Sequence, residues 1–436
     1  MKRTVRLGFT TSVVTALVLS LAACGTAEND APEDAAGDEP VTLRMTWWGG
    51  ETRHERTQEA IDLFEDAHPN ITVEAEFADF SGYWERLATT TAGGNTPDVI
   101  QMDELYLASY AGRGVLAPLD EYDIDTSALD PAILGMGVFD EELYAIPIST
   151  SATAFLVNPA VIESAGVPLP DTSTWTWDEF GQWAQAISDA TPEATYGTSI
   201  LNALVSLQLV ARQQGDSLFS DGGIAIKPET LANYFQLALD WTKNGAAPPA
   251  SVTAETAKLP LEQQPFTAGE AAAWSNSATL ISAYQNAMGE GTELEIVPFP
   301  TFEDTDGKWD YFKAGMYWSM SAGSEHPAEA ALLIDFLVND PQVAEIIGTE
   351  RGLPASDKAL AAIADSLTPG EQKAVEYSQS RMRELGEAPA IAPNGAANVS
   401  DVLWRYTQEV IFENLTPMEA AEAMIAEVQA SIDAAG

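Results

Sequence analysis

The first part of the chain alternates between the hydrophobic periods of strands and helices. Residues 41–47 and 71–77 alternate apolar and polar side chains with a period of two, which predicts two strands. Between them residues 53–68 carry apolar side chains on one helical face, and residues 83–91 form a second predicted helix. Residues 97–102 are a short apolar run that predicts a buried strand. This order predicts a mostly parallel sheet flanked by helices, in an α/β fold.

The rest of the chain is predicted to be richer in helices. A long strand is expected at residues 145–157, and two more at residues 295–299 and 313–321. Helices are expected after the last of these strands and at five earlier positions, namely residues 159–165, 177–190, 201–214, 228–244 and 259–269.

Aromatic and short polar side chains follow the predicted strands of the first region. In open α/β sheets, ligands lie beyond the carboxyl ends of the strands. The residues at these ends are Trp47, Trp48, Asp79, Phe80, Gln101 and Asp103. Aromatic rings pack on the C–H face of a pyranose, whereas carboxylates and amides bond its hydroxyls. The pattern therefore favours a ligand with an apolar face and a hydroxyl edge.

The charge balance and the cysteine count exclude several classes of function. The chain has 436 residues, with 20 Lys plus Arg against 66 Asp plus Glu, and a formal net charge of −46. Such a field repels phosphate backbones, which excludes nucleic-acid partners, and it disfavours strongly anionic ligands. Three His and one Cys exclude a Cys/His zinc site, a CxxC redox pair and a disulfide framework. We expect no metal ion and no cofactor.

The N-terminus has the pattern of an export signal. Three basic residues among the first six precede an apolar run, residues 13–23, that is too short to span a bilayer. The run ends at Cys24 in a sequence that resembles a bacterial lipoprotein signal, so Cys24 is expected to be lipidated after residues 1–23 are removed. An ordinary cleavage site followed by an incidental Cys is the alternative. Residues 24–40 are predicted to be an acidic flexible tether.

Six parts of the chain, in order, carry a resemblance to a known family. They are Trp47-Trp48-Gly49 with FEDAHPNI at 64–71, AGGNTPDV at 92–99, LYAIP at 143–147 with LVN at 156–158, WTWDEF at 175–180, FTAGEAAAW at 266–274, and HPAEAA at 326–331 with RGLPAS at 351–356. Together they resemble the family 1 extracellular solute-binding proteins of ABC-type sugar importers, the group that includes maltose-binding protein. The resemblance covers most of residues 41–355.

The resemblance implies a periplasmic-binding-protein-like fold, in which two α/β lobes are joined by a hinge with a ligand cleft between them. By position, the first lobe would comprise residues 41–149 and 297–337, and the second lobe residues 150–296 and 338–436. The implied function is capture of a mono- or oligosaccharide by closure of the lobes, followed by delivery to the membrane permease of an ABC transporter. Such a receptor would be a monomer, anchored by lipid to the outer face of a bacterial cell membrane, and not an enzyme.

Twelve residues are candidate ligand contacts. Besides those at the ends of the first strands, Tyr83 begins a predicted helix, while Tyr317 and Trp318 lie on a strand with alternating faces. The family resemblance implies a stacking residue at Trp274 and a cleft-facing Arg351, for which a salt bridge at a helix end is the alternative. The complete set is Trp47, Trp48, Asp79, Phe80, Tyr83, Gln101, Asp103, Trp274, Asn276, Tyr317, Trp318 and Arg351.

Several tryptophans are expected to pack in the interior instead. Trp47 and Trp48 are neighbours on a strand and point to opposite faces, so only one of them is expected in the core. Trp175 and Trp177 are expected to be packing residues, with Thr176 between them as the N-cap of a helix.

Two other classes of function remain open. The same fold could bind a polyamine, a peptide or glycerol phosphate, although the acidic charge disfavours a phosphate ester and the tryptophans favour a sugar over a peptide. An extracellular glycosidase or a purely structural surface lipoprotein is the third hypothesis. No carboxylate spacing in the sequence singles out a catalytic pair for a glycosidase.

Overall fold

The computed structural model describes residues 39–435, with the exception of residues 193, 221, 290 and 306. The predicted signal sequence, the lipidation site at Cys24 and most of the predicted tether lie outside the described residues. No helix within the described range combines the length and the apolar character that are needed to cross a bilayer.

Among the described residues, strands form at all six predicted positions and at seven positions that were not predicted. They are β1 (Val41–Trp48), β2 (Ile71–Ala78), β3 (Val99–Met102), β4 (Val138–Phe139), β5 (Glu142–Leu143), β6 (Ile146–Val157), β7 (Tyr196–Thr198), β8 (Phe219–Ser220), β9 (Gly223–Ile224), β10 (Ala271–Ser277), β11 (Glu295–Val297), β12 (Phe312–Met320) and β13 (Leu353–Pro354).

Helices flank these strands and dominate the last quarter of the chain. They are α1 (Glu51–Ala67), α2 (Phe80–Ala92), α3 (Glu104–Ala111), α4 (Pro131–Leu134), α5 (Pro159–Ala165), α6 (Trp177–Ala190), α7 (Leu204–Gln213), α8 (Pro228–Asn244), α9 (Ala250–Thr256), α10 (Ile281–Met288), α11 (Pro327–Asn339), α12 (Pro341–Ile347), α13 (Asp357–Ile363), α14 (Pro369–Arg381), α15 (Val399–Ile411) and α16 (Pro417–Ala435).

Most of the predicted helices form, and one does not. α5, α6 and α8 have the bounds that the sequence predicts. The helix predicted at residues 259–269 is wrong, because this segment contains only a short 3₁₀ turn, Leu261–Gln263. Pro260 precedes that turn and Pro265 follows it, and a proline cannot donate the backbone hydrogen bond that a helix interior needs.

The central sheet joins a parallel region to an antiparallel one. Among the described strands its order is β2-β1-β3-β12-β6-β10-β7, and β11 and β13 also pair with β6. β1 is parallel to both β2 and β3, which confirms the parallel sheet predicted from the first region. β12 is antiparallel to both of its neighbours, β3 and β6.

β6 connects the two regions of the sheet. Its residues 146–152 pair with β12, and its residues 153–157 pair with β10. Because successive side chains of a strand point to opposite faces, they can enter different cores. Ala154 and Leu156 lie in one large cluster of buried apolar side chains, whereas Phe155 and Val157 lie in another. A single strand thus links two hydrophobic cores.

The two cores divide most of the helices between them. Buried side chains of β1, α1, β3 and α11 belong to the first core, and those of α6, α7, α8, α15 and α16 to the second. Val338 and Leu353 belong to the first core, and α12 packs against α1 and α11. The packing therefore places residues 338–353 with the first core. The family resemblance had implied that residues 338–436 belong to the second lobe. The exact lobe boundaries stay predictions.

The start of α6 shows how local sequence fixes a helix end. The Thr176 hydroxyl accepts a hydrogen bond from the Glu179 backbone amide, and the Glu179 carboxylate accepts one from the Thr176 amide, which together form a capping box. Trp175 and Trp177 on either side are buried, and the Trp177 indole donates to Gln213 Oε1 at 2.8 Å. The predicted N-cap and the predicted packing role of both rings are confirmed.

Candidate ligand-binding site

A cavity of about 340 Å³ opens at the carboxyl ends of β7 and β10. Its lining is rich in hydroxyl and amide groups and contains one indole ring and one ammonium group among the described residues. The lining residues are Ser151, Thr153, Ser199, Ile200, Asn202, Ala203, Val205, Pro248, Thr253, Thr256, Ala257, Gln264, Pro265, Trp274, Ser275, Asn276, Ser277 and Lys313. The cavity lies where α/β sheets place their ligands, beyond the carboxyl ends of parallel strands.

Trp274 and Asn276, both predicted from the sequence, come together in this cavity. They lie two residues apart on β10, opposite Leu156 and Ala154 of β6, so their side chains project from the same face of the strand. The Trp274 ring stacks on buried Phe266, with ring centres 6.1 Å apart and an angle of 23° between the planes. This contact fixes the orientation of the indole ring.

A short hydrogen-bond network holds the amide of Asn276 in place. Asn276 Nδ2 donates to the Tyr284 hydroxyl at 3.1 Å, and that hydroxyl donates to Gln264 Oε1 at 2.6 Å. Burial raises the pKa of the Tyr284 hydroxyl to about 12, so it stays protonated as a donor at physiological pH. The network pre-organises two cavity-lining amides, which reduces the entropic cost of binding a polar ligand.

Lys313 supplies the charge among the described residues that line the cavity. It lies on β12 opposite Ser151 of β6, which also lines the cavity. Its ammonium group forms an ion pair with Glu104 at the start of α3, at 3.1 Å. The Glu104 carboxylate raises the pKa of Lys313, so the ammonium form persists at physiological pH. Lys313 was not among the residues predicted from the sequence, although a single charged residue in a largely apolar strand is a signal that could have indicated it.

An aromatic cluster forms around the end of β1. The Trp48 ring lies 5.5 Å from Phe80, 5.2 Å from Tyr83 and 5.7 Å from Trp84. Trp84 in turn stacks on Tyr106 of α3, at 3.7 Å between ring centres. Phe80 is 47% exposed, whereas Trp48 is only 7% exposed. Phe80 is therefore the most exposed of the four rings Trp48, Phe80, Tyr83 and Trp84.

Both Trp47 and Trp48 are buried, contrary to the expectation that only one of them would be. Helices cover both faces of the sheet at β1: Trp47 meets His54 of α1, while Trp48 meets α2. Trp47 donates its indole hydrogen to His54 Nδ1 at 3.1 Å. A strand that is covered on both faces buries both of its alternating sets of side chains. Tyr83 is also buried, and its hydroxyl donates to the Gln101 carbonyl.

Gln101, Trp318 and Arg351 meet inside the first core. The Arg351 guanidinium donates to Gln101 Oε1 and, at 2.7 Å, to Thr57 Oγ1, and its central carbon lies 5.2 Å from the centre of the Trp318 ring. Burial lowers the pKa of Arg351 to about 9. Trp318 and Arg351 line a separate cavity of about 50 Å³. This cavity shares no lining residue with the 340 Å³ cavity. The salt bridge considered as the alternative for Arg351 is formed by other residues: the neighbouring Glu350 pairs with Arg53 at 2.8 Å.

The remaining predicted residues lie at helix starts and in a narrow gap. Asp79 caps α2 by accepting from the amides of Ser81 and Gly82, both at 3.1 Å, and Asp103 caps α3 by accepting from the Leu105 amide at 3.0 Å. An Asp before an apolar helical pattern is itself an N-cap signal, so the sequence carried an indication of this role for both residues. Tyr317 is buried and lines a cavity of about 20 Å³ beside Glu104.

Most of the polar side chains that line the 340 Å³ cavity carried no signal in the sequence. Ser151 and Thr153 of β6, Asn202 of the loop after β7, and Thr253 and Thr256 of α9 come from three separate segments. Isolated Ser, Thr and Asn residues are common in loops and at helix ends, so only their convergence in three dimensions marks them.

The sequence pattern of bacterial extracellular solute-binding proteins matches residues 59–372. The chain belongs to this family. Its α/β architecture is that of the two-lobed periplasmic solute-binding proteins. A periplasmic oligogalacturonide-binding protein from Yersinia enterocolitica, solved in complex with saturated digalacturonic acid, is 25% identical in sequence. Its TM-score is 0.75, over 91% of this chain and 99% of that one. The fold predicted from the sequence is confirmed.

Two relatives show how far the sequence similarity extends. The galactooligosaccharide-binding protein of Bacillus subtilis is 24% identical over 334 residues, which cover 74% of this solute-binding protein and 75% of the relative. An uncharacterized lipoprotein of Streptomyces antibioticus is 28% identical over 189 residues. The match covers 41% of this chain and 39% of the length of that lipoprotein.

Proposed function

We propose that this solute-binding protein captures an uncharged mono- or oligosaccharide outside the cell membrane and delivers it to the permease of an ABC importer. The observation that carries the proposal is the 340 Å³ cavity, in which an oriented indole faces a lining of hydroxyl and amide groups. An aromatic face and many hydrogen-bonding groups match the C–H face and the hydroxyl edge of a sugar ring. The sugar-binding relatives support the same class of ligand.

The proposed contact set is smaller than the set predicted from the sequence. Trp274 and Asn276 would contact the sugar from the cavity, with Lys313 beside them. Phe80 would approach from the first lobe when the lobes close, and the buried Trp48 ring would support it from below. Gln101, Trp318, Arg351, Trp47, Tyr83 and Tyr317 are buried and would hold the first lobe together instead. Asp79 would act as a helix cap, and Asp103 would combine a cap with proximity to the ligand.

Replacement of Trp274 by Ala tests this proposal at one residue. We expect a loss of about 1–3 kcal/mol in binding free energy, because the ring lines the cavity and would stack on the sugar. Isothermal titration calorimetry of the wild type against a panel of neutral mono- and oligosaccharides identifies the ligand, and the variant is then titrated with it. Absence of binding heat across the whole panel would contradict the proposed function.

Trp404→Ala is the matched control for that substitution. Trp404 is a partly buried ring of α15 that packs on the second core and does not line the cavity. It is expected to lower the melting temperature and to keep the ligand affinity. If Trp274→Ala instead behaved like the control, with a lower melting temperature and full affinity, Trp274 would be a core residue and not a ligand contact.

Two further parts of the proposal concern location and chemistry. Cys24 would carry the lipid anchor, because acylation at two sites gives durable membrane binding. Mass spectrometry of the mature N-terminus can identify the acylated residue.

The protein would bind its sugar without cleaving it. Chromatography of the bound glycan after prolonged incubation tests this, and release of shorter sugars that depends on one carboxylate would favour the glycosidase hypothesis.

A further inference from the structure

The cavity holds a charge that is already compensated. Lys313 lines the cavity, and its Nζ lies 3.1 Å from a carboxylate oxygen of Glu104. Both side chains keep about a third of their surface or less exposed, 35% for Lys313 and 27% for Glu104. An ion pair that is partly shielded from water is screened less by salt than one on the open surface.

The backbone places this pair beside the cavity. Lys313 lies opposite Ser151 in the β12–β6 ladder, and its neighbours Phe312 and Ala314 point into the first core. Side chains that alternate along a strand leave Lys313 on the cavity side. Glu104 belongs to α3, whose N-cap is Asp103. The ammonium therefore reaches the cavity from the crossing strands, while its counterion comes from the first lobe.

The local charge around the ammonium is neutral or negative. Glu104 balances Lys313, and the Asp103 carboxylate is close enough to act on the ammonium electrostatically. An ammonium has three N–H donors, of which a carboxylate partner occupies one or two. The remaining donor can bond a sugar hydroxyl. A uronate carboxylate placed there would instead lie close to two carboxylates of the same sign, and such like-charge contacts act against binding.

We propose that the Lys313–Glu104 pair is the device that makes this site accept uncharged sugars and reject uronic acids. The inference rests on the proposed function and names the residues that restrict the site to the uncharged sugars proposed there. The fold does not set that charge, because the Yersinia protein with the same architecture was solved with digalacturonic acid. Side chains at the cavity must therefore decide between neutral and acidic sugars.

Substitution of Glu104 by Gln tests the proposal with matched pairs of disaccharides. The probes are galactobiose with digalacturonic acid, and cellobiose with cellobiouronic acid, titrated by calorimetry at fixed ionic strength. The wild type is expected to bind the neutral member of a pair at least about tenfold more tightly, and Glu104→Gln is expected to shift the ratio toward the uronate by about tenfold. A wild type that prefers the uronate, or a ratio that Glu104→Gln leaves unchanged, would overturn the inference.

Two further variants separate a specific effect from a general one. Glu295→Gln removes one carboxylate from the Lys373–Glu295 pair, which does not line the cavity, and is expected to keep the wild-type ratio. The double variant Lys313→Met with Glu104→Gln removes both charges and should lose the gain for uronates that Glu104→Gln alone produces. A gain in the Glu295 variant, or one that persists in the double variant, would also refute the role of Lys313.

Failure of the inference can be distinguished from failure of the proposed function. If no sugar of either kind binds the wild type, the proposed function fails and this inference fails with it. If neutral sugars bind but the ratios do not respond to Glu104, the function stands and only the charge device is refuted. Melting temperatures of all the variants are measured first, and Glu104→Ala, which removes the same charge and carries the same expectation, replaces Glu104→Gln if that variant does not fold.

Discussion

At the scale of single residues, His54 makes the stability of the protein depend on pH. Its Nδ1 accepts the Trp47 indole hydrogen at 3.1 Å, and the Phe77 ring stacks on the imidazole at 3.9 Å. Only a neutral imidazole has a nitrogen that can accept this bond. Burial lowers the pKa of His54 below its ordinary value of 6.5, with further contributions of both signs from neighbouring charges. The folded protein therefore resists protonation of this residue.

The sign of the pH effect follows from that shift. The stabilisation is fully present above pH 6.5, where His54 is neutral in both states, and it is lost as the pH falls through 6.5 toward the lower folded pKa. We expect the free energy of unfolding of the wild type to drop more steeply between pH 7 and pH 5 than that of His54→Gln. Urea unfolding at each pH measures this, and parallel profiles for the two proteins would contradict it.

Elements of secondary structure are delimited by short local signals, as α6 illustrates. Its capping box satisfies two backbone amides at the helix start, one through Thr176 and one through Glu179. Thr176→Ala is expected to lower the free energy of unfolding by about 1 kcal/mol, because the amide of Glu179 loses its acceptor. The control is Thr174→Ala, an exposed threonine two residues earlier, which is expected to change stability by less than about 0.5 kcal/mol. Urea unfolding compares the two, and equal losses would refute the capping role.

At the scale of the whole molecule, a few strands join two hydrophobic cores. β6 contributes side chains to both hydrophobic cores and pairs with β12, so the two regions are joined by a few strands while the cavity lies beside them. We expect saturating ligand to decrease the radius of gyration measured by small-angle X-ray scattering, because hinge closure would bring the aromatic cluster toward the cavity. The Trp274→Ala variant, at a sugar concentration too low for it to bind, should scatter like the free protein. An unchanged radius for the saturated wild type would show that binding does not require closure.

Local patterns were sufficient for much of the fold. The period-two alternation of β1 and β2, the helices α5, α6 and α8, and the N-cap at Thr176 all follow from interactions between residues that are close in sequence. The resemblance at six ordered segments added the two-lobed architecture. The helix expected at residues 259–269 does not form, because Pro260 and Pro265 remove two of the backbone donors that it would need.

The site was predicted only in part, because its residues are separated widely along the chain. Trp274 was a candidate because the family resemblance implies a stacking residue at the end of the segment 266–274, and Asn276 because it follows two residues later. The sequence by itself determined the α/β class, the family and the presence of aromatic and polar groups at strand ends. Only the tertiary structure decided that Trp47 and Arg351 are enclosed in a core while Ser151, Thr253 and Lys313 share a cavity. Burial depends on which elements cover a residue, and long-range packing, which sets that cover, leaves no periodic trace in the sequence.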